Sequence, residues 1–229
     1  MNKNNYENFN NYCSLIFSLT VQAQTATPVF KIGVNGLIAT NSSMIESFYD
    51  MPQIETRSYV LNNPVNVSVG TQSYDVKTGC LEQWDDFGGS FNVITIYSGS
   101  QKIFELRQPD NWRYTFGIPR KESYQQYTDN QYFLPITLSE QAVALAFIGW
   151  PYGGDMPYLT IIALTNNDVK LVFNKHMGIN AITQSDNSYS MELQANIVEY
   201  GENGRPFDTP NNVPDIHYLE VKNGLLYSR

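Results

Sequence analysis

Acids beside aromatic rings are the first chemistry to weigh, because two carboxyl groups about 5–10 Å apart across a sugar can hydrolyse a glycosidic bond. Asp85 and Asp86 follow Trp84, and Asp155 follows Trp150, Tyr152 and a Gly-Gly pair. If the two stretches are neighbours, Asp85 or Asp86 can work with Asp155. The plainer use of Asp in turns is to accept backbone N–H bonds. That use is favoured here, so no catalytic residue is assigned and the three acids stand as the alternative. Recognition is the better-supported chemistry. Residues 149–158 read Gly-Trp-Pro-Tyr-Gly-Gly-Asp-Met-Pro-Tyr. Aromatic faces stack on sugar rings or bury in a protein partner, and Pro limits the ordering cost of binding. The ligand-binding set is therefore Trp150, Tyr152, Asp155 and Tyr158, with Trp84 from the related stretch. The competing reading is that Trp150 and Tyr158 plug one end of a β core. Trp112, between Asn111 and Arg113, is a second candidate, and Tyr124, Tyr127 and Tyr132 can form an adhesive surface.

Other site chemistries lack their residues. The chain has two His, His176 and His217, with no metal-ligand spacing, so neither a metal site nor a cofactor is expected. His217 reads as a core or rim residue that Asp215 can pair. The nearest approach to a nucleophile elbow, Gly88-Gly89-Ser90, lacks its closing Gly. Phosphate-cradling glycine loops are absent.

The elements that would position such a site are strands. Phe30, Ile32 and Val34 alternate up to Asn35-Gly36, and Leu37 and Ala39 return, which predicts a hairpin on a two-residue turn. Val65, Val67 and Val69 alternate. Residues 91–97 turn through Ser98-Gly99-Ser100-Gln101 into 102–107, and 112–116 continue as a strand. Residues 132–138 and 141–149 look extended, although a buried helix fits the second run equally well. Residues 158–164 and 169–174 pair around Asn166-Asn167-Asp168. Residues 189–197 alternate, and Asn223-Gly224 closes a last hairpin. Ser43-Met44-Ile45-Glu46 is a capping-box pattern and predicts one short helix ending before Pro52. Residues 119–130 and 201–215 read as loops. Together these predict an all-β fold of antiparallel hairpins, stacked as a sandwich or as propeller-like sheets.

A faint internal repeat links the two aromatic stretches. Trp84-Asp85-Asp86-Phe87-Gly88-Gly89 leads into one strand and Trp150-Pro151-Tyr152-Gly153-Gly154 into another, which sets Thr95 on Thr160 and Ile96 on Ile161. Asp85-Asp86-Phe87-Gly88-Gly89 followed by an apolar hairpin resembles a degenerate blade motif of FG-GAP or VCBS-type β-propellers. It is similar, too, to the same motif in small secreted proteins of the lysozyme-inhibitor type. The resemblance implies stacked β-hairpins. It does not carry over the family's Ca²⁺ loop, because Gly88, Gly89 and Ser90 stand where further acids belong.

Composition bounds the rest. The chain has 229 residues, 42% hydrophobic and 16% charged, too apolar for disorder. Lys and Arg number 14 against 22 Asp and Glu, a formal charge of -8, which disfavours nucleic acid as a partner. Residues 13–21 are mostly apolar and are followed by Gln22-Ala23-Gln24. This predicts a secretory leader over residues 1–23 and one all-β domain over 24–229, secreted or periplasmic. That run is too short for a membrane helix, and no later one is long enough. After cleavage Cys80 alone remains, so the core must stand without a disulfide. The expected function is a secreted, non-catalytic module binding a protein or glycan, one form of which inhibits a basic extracytoplasmic enzyme. The alternatives are a carboxylate-dependent glycan hydrolase and a surface-assembly component with pairing edge strands.

Overall fold

The computed structural model describes residues 25–46, 59–81, 90–113, 117–118, 125–126, 132–150, 156–185, 188–199, 201–203, 205, 209 and 212–229. The predicted leader lies outside them. The described chain is all-β. Its strands are β1 (Thr27–Pro28), β2 (Phe30–Ile32), β3 (Ile38–Thr40), β4 (Tyr59–Leu61), β5 (Val65–Val69), β6 (Gln72–Leu81), β7 (Ser90–Ser98), β8 (Gln101–Arg113) and β9 (Gly117–Ile118). They continue with β10 (Gln125–Gln126), β11 (Leu134–Ser139), β12 (Ala142–Trp150), β13 (Tyr158–Thr165), β14 (Val169–Lys175), β15 (Gly178–Ser185), β16 (Ser188–Gln194), β17 (Ile216–Lys222) and β18 (Leu225–Ser228). Every named pairing is antiparallel.

The large sheet runs β14-β13-β12-β8-β7-β6-β4, with β11 also on β12 and β5 also on β6. A second sheet runs β1-β18-β17-β16-β15. Side-chain alternation on β12 shows how they stack. Ala142, Ala144, Ala146 and Ile148 enter a core shared with Ile179, Met191, Leu193, Leu219 and Leu226 of the second sheet. Val143, Leu145 and Phe147 enter another core, shared with Val67, Val76, Ile94 and Ile96 of the large sheet's own first half. The large sheet thus folds over itself, and β11–β14 form a middle layer between two others. The hairpins are stacked face to face. A strand buried on both faces reads as a continuous apolar run, which is why the β12 segment is ambiguous in sequence: period 2 is present, but both phases are apolar.

The fold-over happens along β8. Its first part pairs with β7, while Trp112 and Asn111 pair with Gly149 and Trp150 of β12. Sequence predicts two strands here, 102–107 and 112–116, and one strand spans the gap. The β7 register steps from Phe91↔Trp112 to Val93↔Arg107, so residues 108–111 stand opposite Asn92. Such a bulge bends a strand and tolerates a proline, which has no N–H to give, and Pro109 falls within it.

Two other expectations are corrected, and one strand is not foreseen in the sequence. The capping box does not start a helix. A 3-10 turn covers Ser42–Met44, Asn41 accepts from the Ser43 N–H at 3.2 Å, and Ile45 is extended. Glu46 then gives its own N–H to the Asn174 carbonyl at 2.8 Å, so the chain runs along the β14 edge, while residues 47–52 lie outside the described set. The first hairpin turns over more than two residues: the Gly36 N–H bonds the Gly33 carbonyl and Gly36 takes φ +73°. Val34 and Leu37 therefore sit exposed in the turn instead of on the strand face. Strand β15 carries no clear period in sequence, because a register shift between Ile179 and Ala181 breaks the alternation.

Gly149 and Tyr158 are cross-strand partners, and a Cβ built on Gly149 would lie 1.9 Å from Tyr158 Cζ. The ring needs that position bare. Gly149→Ala should cost about 1–3 kcal/mol through overpacking. Thermal unfolding should register about 2–4 °C of lowering per kcal/mol, and an unchanged melt would mean the ring is free to move aside.

Candidate functional site

Strand register decides where the aromatic stretches can meet. Strands β6 and β7 bracket residues 82–89, and β12 and β13 bracket 151–157. Phe91 of β7 and Gly149 of β12 both pair with Trp112 of β8. The strand ends on either side of these segments therefore lie at the same end of the large sheet, and β7 and β12 are both neighbours of β8, roughly 10 Å apart.

The ground beneath that end is a buried aromatic cluster. Phe91 stacks on Trp112 at 5.7 Å between centroids. Trp112 meets Phe147 at 6.5 Å and Tyr158 edge-on at 6.3 Å. Phe133 meets Phe147 at 5.3 Å, and the half-buried Tyr132 meets Phe91 edge-on at 6.2 Å. A polar chain threads the cluster. The Trp112 indole N–H donates to Thr160 Oγ1 at 3.0 Å, and that hydroxyl donates to Asn174 Oδ1 at 2.7 Å. Gln108 Nε2 reaches the same oxygen at 3.4 Å, and Asn174 Nδ2 donates to the Glu46 carbonyl at 3.0 Å. Burying most of these groups is tolerable because they bond one another, while Gln108 Oε1 is buried without a partner.

Against this frame the sequence-derived residues divide. Trp84, Asp85, Asp86, Tyr152 and Asp155 lie outside the described residues, as do Tyr124 and Tyr127. Trp150 ends β12, where its backbone pairs with Asn111. Tyr158 opens β13 and is fully buried. Its ring packs between Gly149 and Trp112, so here it supports the site end from within instead of presenting a face to a ligand. Trp112 is corrected in the same way. It is fully buried, because its two flanking strands and the Thr160 hydroxyl leave it no route to the surface. His217 does pair with Asp215, Nε2 to Oδ1 at 3.1 Å, on the surface. Cys80 is partly buried and packs against the core inside the fold-over.

A charged cluster that sequence did not single out lies on the other face of β8. Tyr59 donates to Glu105 Oε2 at 2.7 Å, Arg107 Nε donates to Oε1 at 2.6 Å, and Lys102 pairs with the same carboxylate. The Arg107 guanidinium also lies over the Tyr59 ring at 4.8 Å. Burial alone would raise the Glu105 pKa, but the hydrogen bonds from Lys102, Tyr59 and Arg107 outweigh it and hold the group at about 2 against an ordinary 4.5. The members sit on β4 and β8, so only the folded register assembles them. Their role is to pin β4 across the sheet.

Two grooves open elsewhere. One of about 370 Å³ runs beside β11, between Ile136 and Leu138 on one side and Ser185, Tyr189 and Asn223 on the other. Another of about 280 Å³ lies at the end of the large sheet opposite the aromatic segments, among Gln72, Ser98, Gln101, Ile103 and Asn166. Among the described residues no three His, Cys, Asp or Glu gather to hold a metal, and no helix is long and apolar enough to cross a membrane. No protein-family profile matches the chain, and no curated protein is similar to it.

The depressed Glu105 pKa sets a sign for acid unfolding. A carboxylate lowered on folding contributes stability above its unfolded value, and loses it as pH falls through the folded one. Glu105→Gln should therefore lower the melting temperature at neutral pH, and the gap from wild type should close between pH 4.5 and about 2. A gap that persists unchanged at the acid end would remove the ion-pair explanation.

Proposed function

We propose that this chain is an exported, non-catalytic β module that binds a protein or a glycan through the aromatic segments at one end of its large sheet. The observation that carries this reading is the β8 register, which puts the strand ends bracketing 82–89 and 151–157 side by side. Beneath them the Phe91, Trp112, Phe147 and Tyr158 cluster is packed and bonded. A rigid base under aromatic connections lowers the entropy lost on binding. Trp150, Tyr152 and Trp84 are the contact rings, Asp155 supplies an acceptor, and Tyr158 acts from below. The charge of -8 fits a cationic protein partner, such as a basic extracytoplasmic enzyme that the contact would inhibit. The predicted leader supports a site of action outside the cytoplasm.

Carboxylate-dependent glycan hydrolysis is the second reading. Its acids would be Asp85 or Asp86 with Asp155, which lie outside the described residues; what favours it is that the flanking strands β7 and β12 are both neighbours of β8, roughly 10 Å apart.

The test compares wild type with Trp150→Ala for capture of partners from an extracytoplasmic fraction and for thermal melting. The variant should lose the specific partner while melting as the wild type does, and added salt should weaken wild-type capture of a cationic protein. A collapsed melt with no specific loss of binding would make Trp150 a core residue and overturn the proposal. Release of reducing ends from a glycan, abolished in Asp155→Asn, would favour the hydrolase.

A further inference from the structure

The groove at the opposite end of the large sheet is a site of a different kind. It forms where hairpin turns from separate layers converge: Gly36, Gly70, Gly99 and residues 166–168. The turn at 166–168 is locked to its neighbours. Tyr74 Oη donates to the Thr165 carbonyl at 2.7 Å, and Thr165 Oγ1 donates to the Gly36 carbonyl. Asn167 Nδ2 donates to the Asn35 carbonyl at 2.8 Å. Asp168 Oδ2 accepts from the Ile38 N–H at 2.8 Å and Oδ1 from the Val169 N–H at 3.0 Å. The Asn166 amide presses against Gly70, where a Cβ would lie 2.5 Å from its Oδ1. The wall formed by 166–168 is therefore fixed against the first hairpin and β6.

Four of the lining residues are polar, neutral and unspent. Among the described residues, the side chains of Gln72, Ser98, Gln101 and Asn166 make no hydrogen bond, and Asn166 Oδ1 is buried without a partner. Each amide offers two donors and an acceptor, and each hydroxyl offers both functions. Neither Lys nor Arg is among the lining residues, and the Asp168 carboxylate there is engaged by two backbone N–H groups and by Lys170 Nζ at 3.9 Å. Ile103 adds an aliphatic surface, 39% exposed, beside the amides.

From this we infer that the groove among Gln72, Ser98, Gln101, Ile103 and Asn166 binds a neutral saccharide. Sugar hydroxyls both donate and accept, so they can replace the water that otherwise satisfies these amides without loss of hydrogen bonds. The sugar's C–H face covers Ile103. The groove's 280 Å³ is at the small end of ligand clefts and suits a saccharide unit better than a bulky cofactor. The site stands apart from the aromatic segments and needs neither Trp150 nor Tyr152.

The experiment is a backbone-amide NMR titration of the full chain with cellotriose, chitotriose and maltotriose at millimolar concentration. Parallel titrations use Gln72→Ala, Gln101→Ala and the double variant. At least one trisaccharide should shift the amides of residues 70–74, 98–103 and 166–169 in a saturable way. Each single variant should weaken it about fivefold, the loss expected for one hydrogen bond, with an unchanged melting temperature, because both side chains are exposed. Absence of shifts with all three sugars overturns the proposal, and so does binding that survives in the double variant. Shifts confined to residues 147–150 and 158–160 overturn it too, while supporting recognition at the aromatic end.

Discussion

Trp112 is the residue on which the two halves of the large sheet turn. Its backbone pairs with Phe91 on one side and Gly149 on the other. Its ring fills the space where the halves close over each other, and its N–H is satisfied by Thr160. Among the described residues two β8–β12 pairs join the halves by backbone, Gly149↔Trp112 and Trp150↔Asn111. The fold-over is therefore held mainly by apolar burial within it. The buried chain Trp112, Thr160, Asn174 and Gln108 adds direction to that burial: it fixes which way the ring faces and draws the Glu46 backbone onto the β14 edge. An edge covered in this way is also protected from pairing with other chains.

Much of the fold can be read from local chemistry. Alternation gives β5 and β16, apolar runs around polar turns give β7, β13 and β14, and Asn223-Gly224 gives a turn with positive φ at both residues. Where the reading fails, a competing contact is the cause. At Ser43–Glu46 the capping pattern is real, but Asn41 takes the cap and the β14 edge takes the following backbone. In β8 a bulge carries one strand through a proline. In β15 a bulge hides the period. The β12 run leaves helix and strand open because alanines face one core and large residues the other.

The candidate site was legible only as two aromatic stretches. That their strand ends meet at one end of one sheet depends on β8 standing between β7 and β12, and no spacing along the chain contains that information. Tyr158 shows the limit most clearly. Its place in an aromatic, Gly-rich segment suggests recognition, yet its partner across the ladder is Gly149, and the bare backbone there draws the ring inward. The Glu105 cluster and the turn-built groove escape sequence reading for the same reason. Their members are ordinary polar residues at unremarkable positions, made significant only by register.

The account stands or falls on the Trp112 knot opening only when the whole molecule does. Native-state hydrogen exchange reads this directly, through the indole N–H of Trp112 and the backbone amides of β7 and β12. If the knot joins the halves, the indole proton should exchange with the slowest of those amides and share their denaturant dependence. Fast indole exchange while β7 and β12 stay protected would show that the ring moves independently, and that something other than Trp112 holds the sheet folded upon itself.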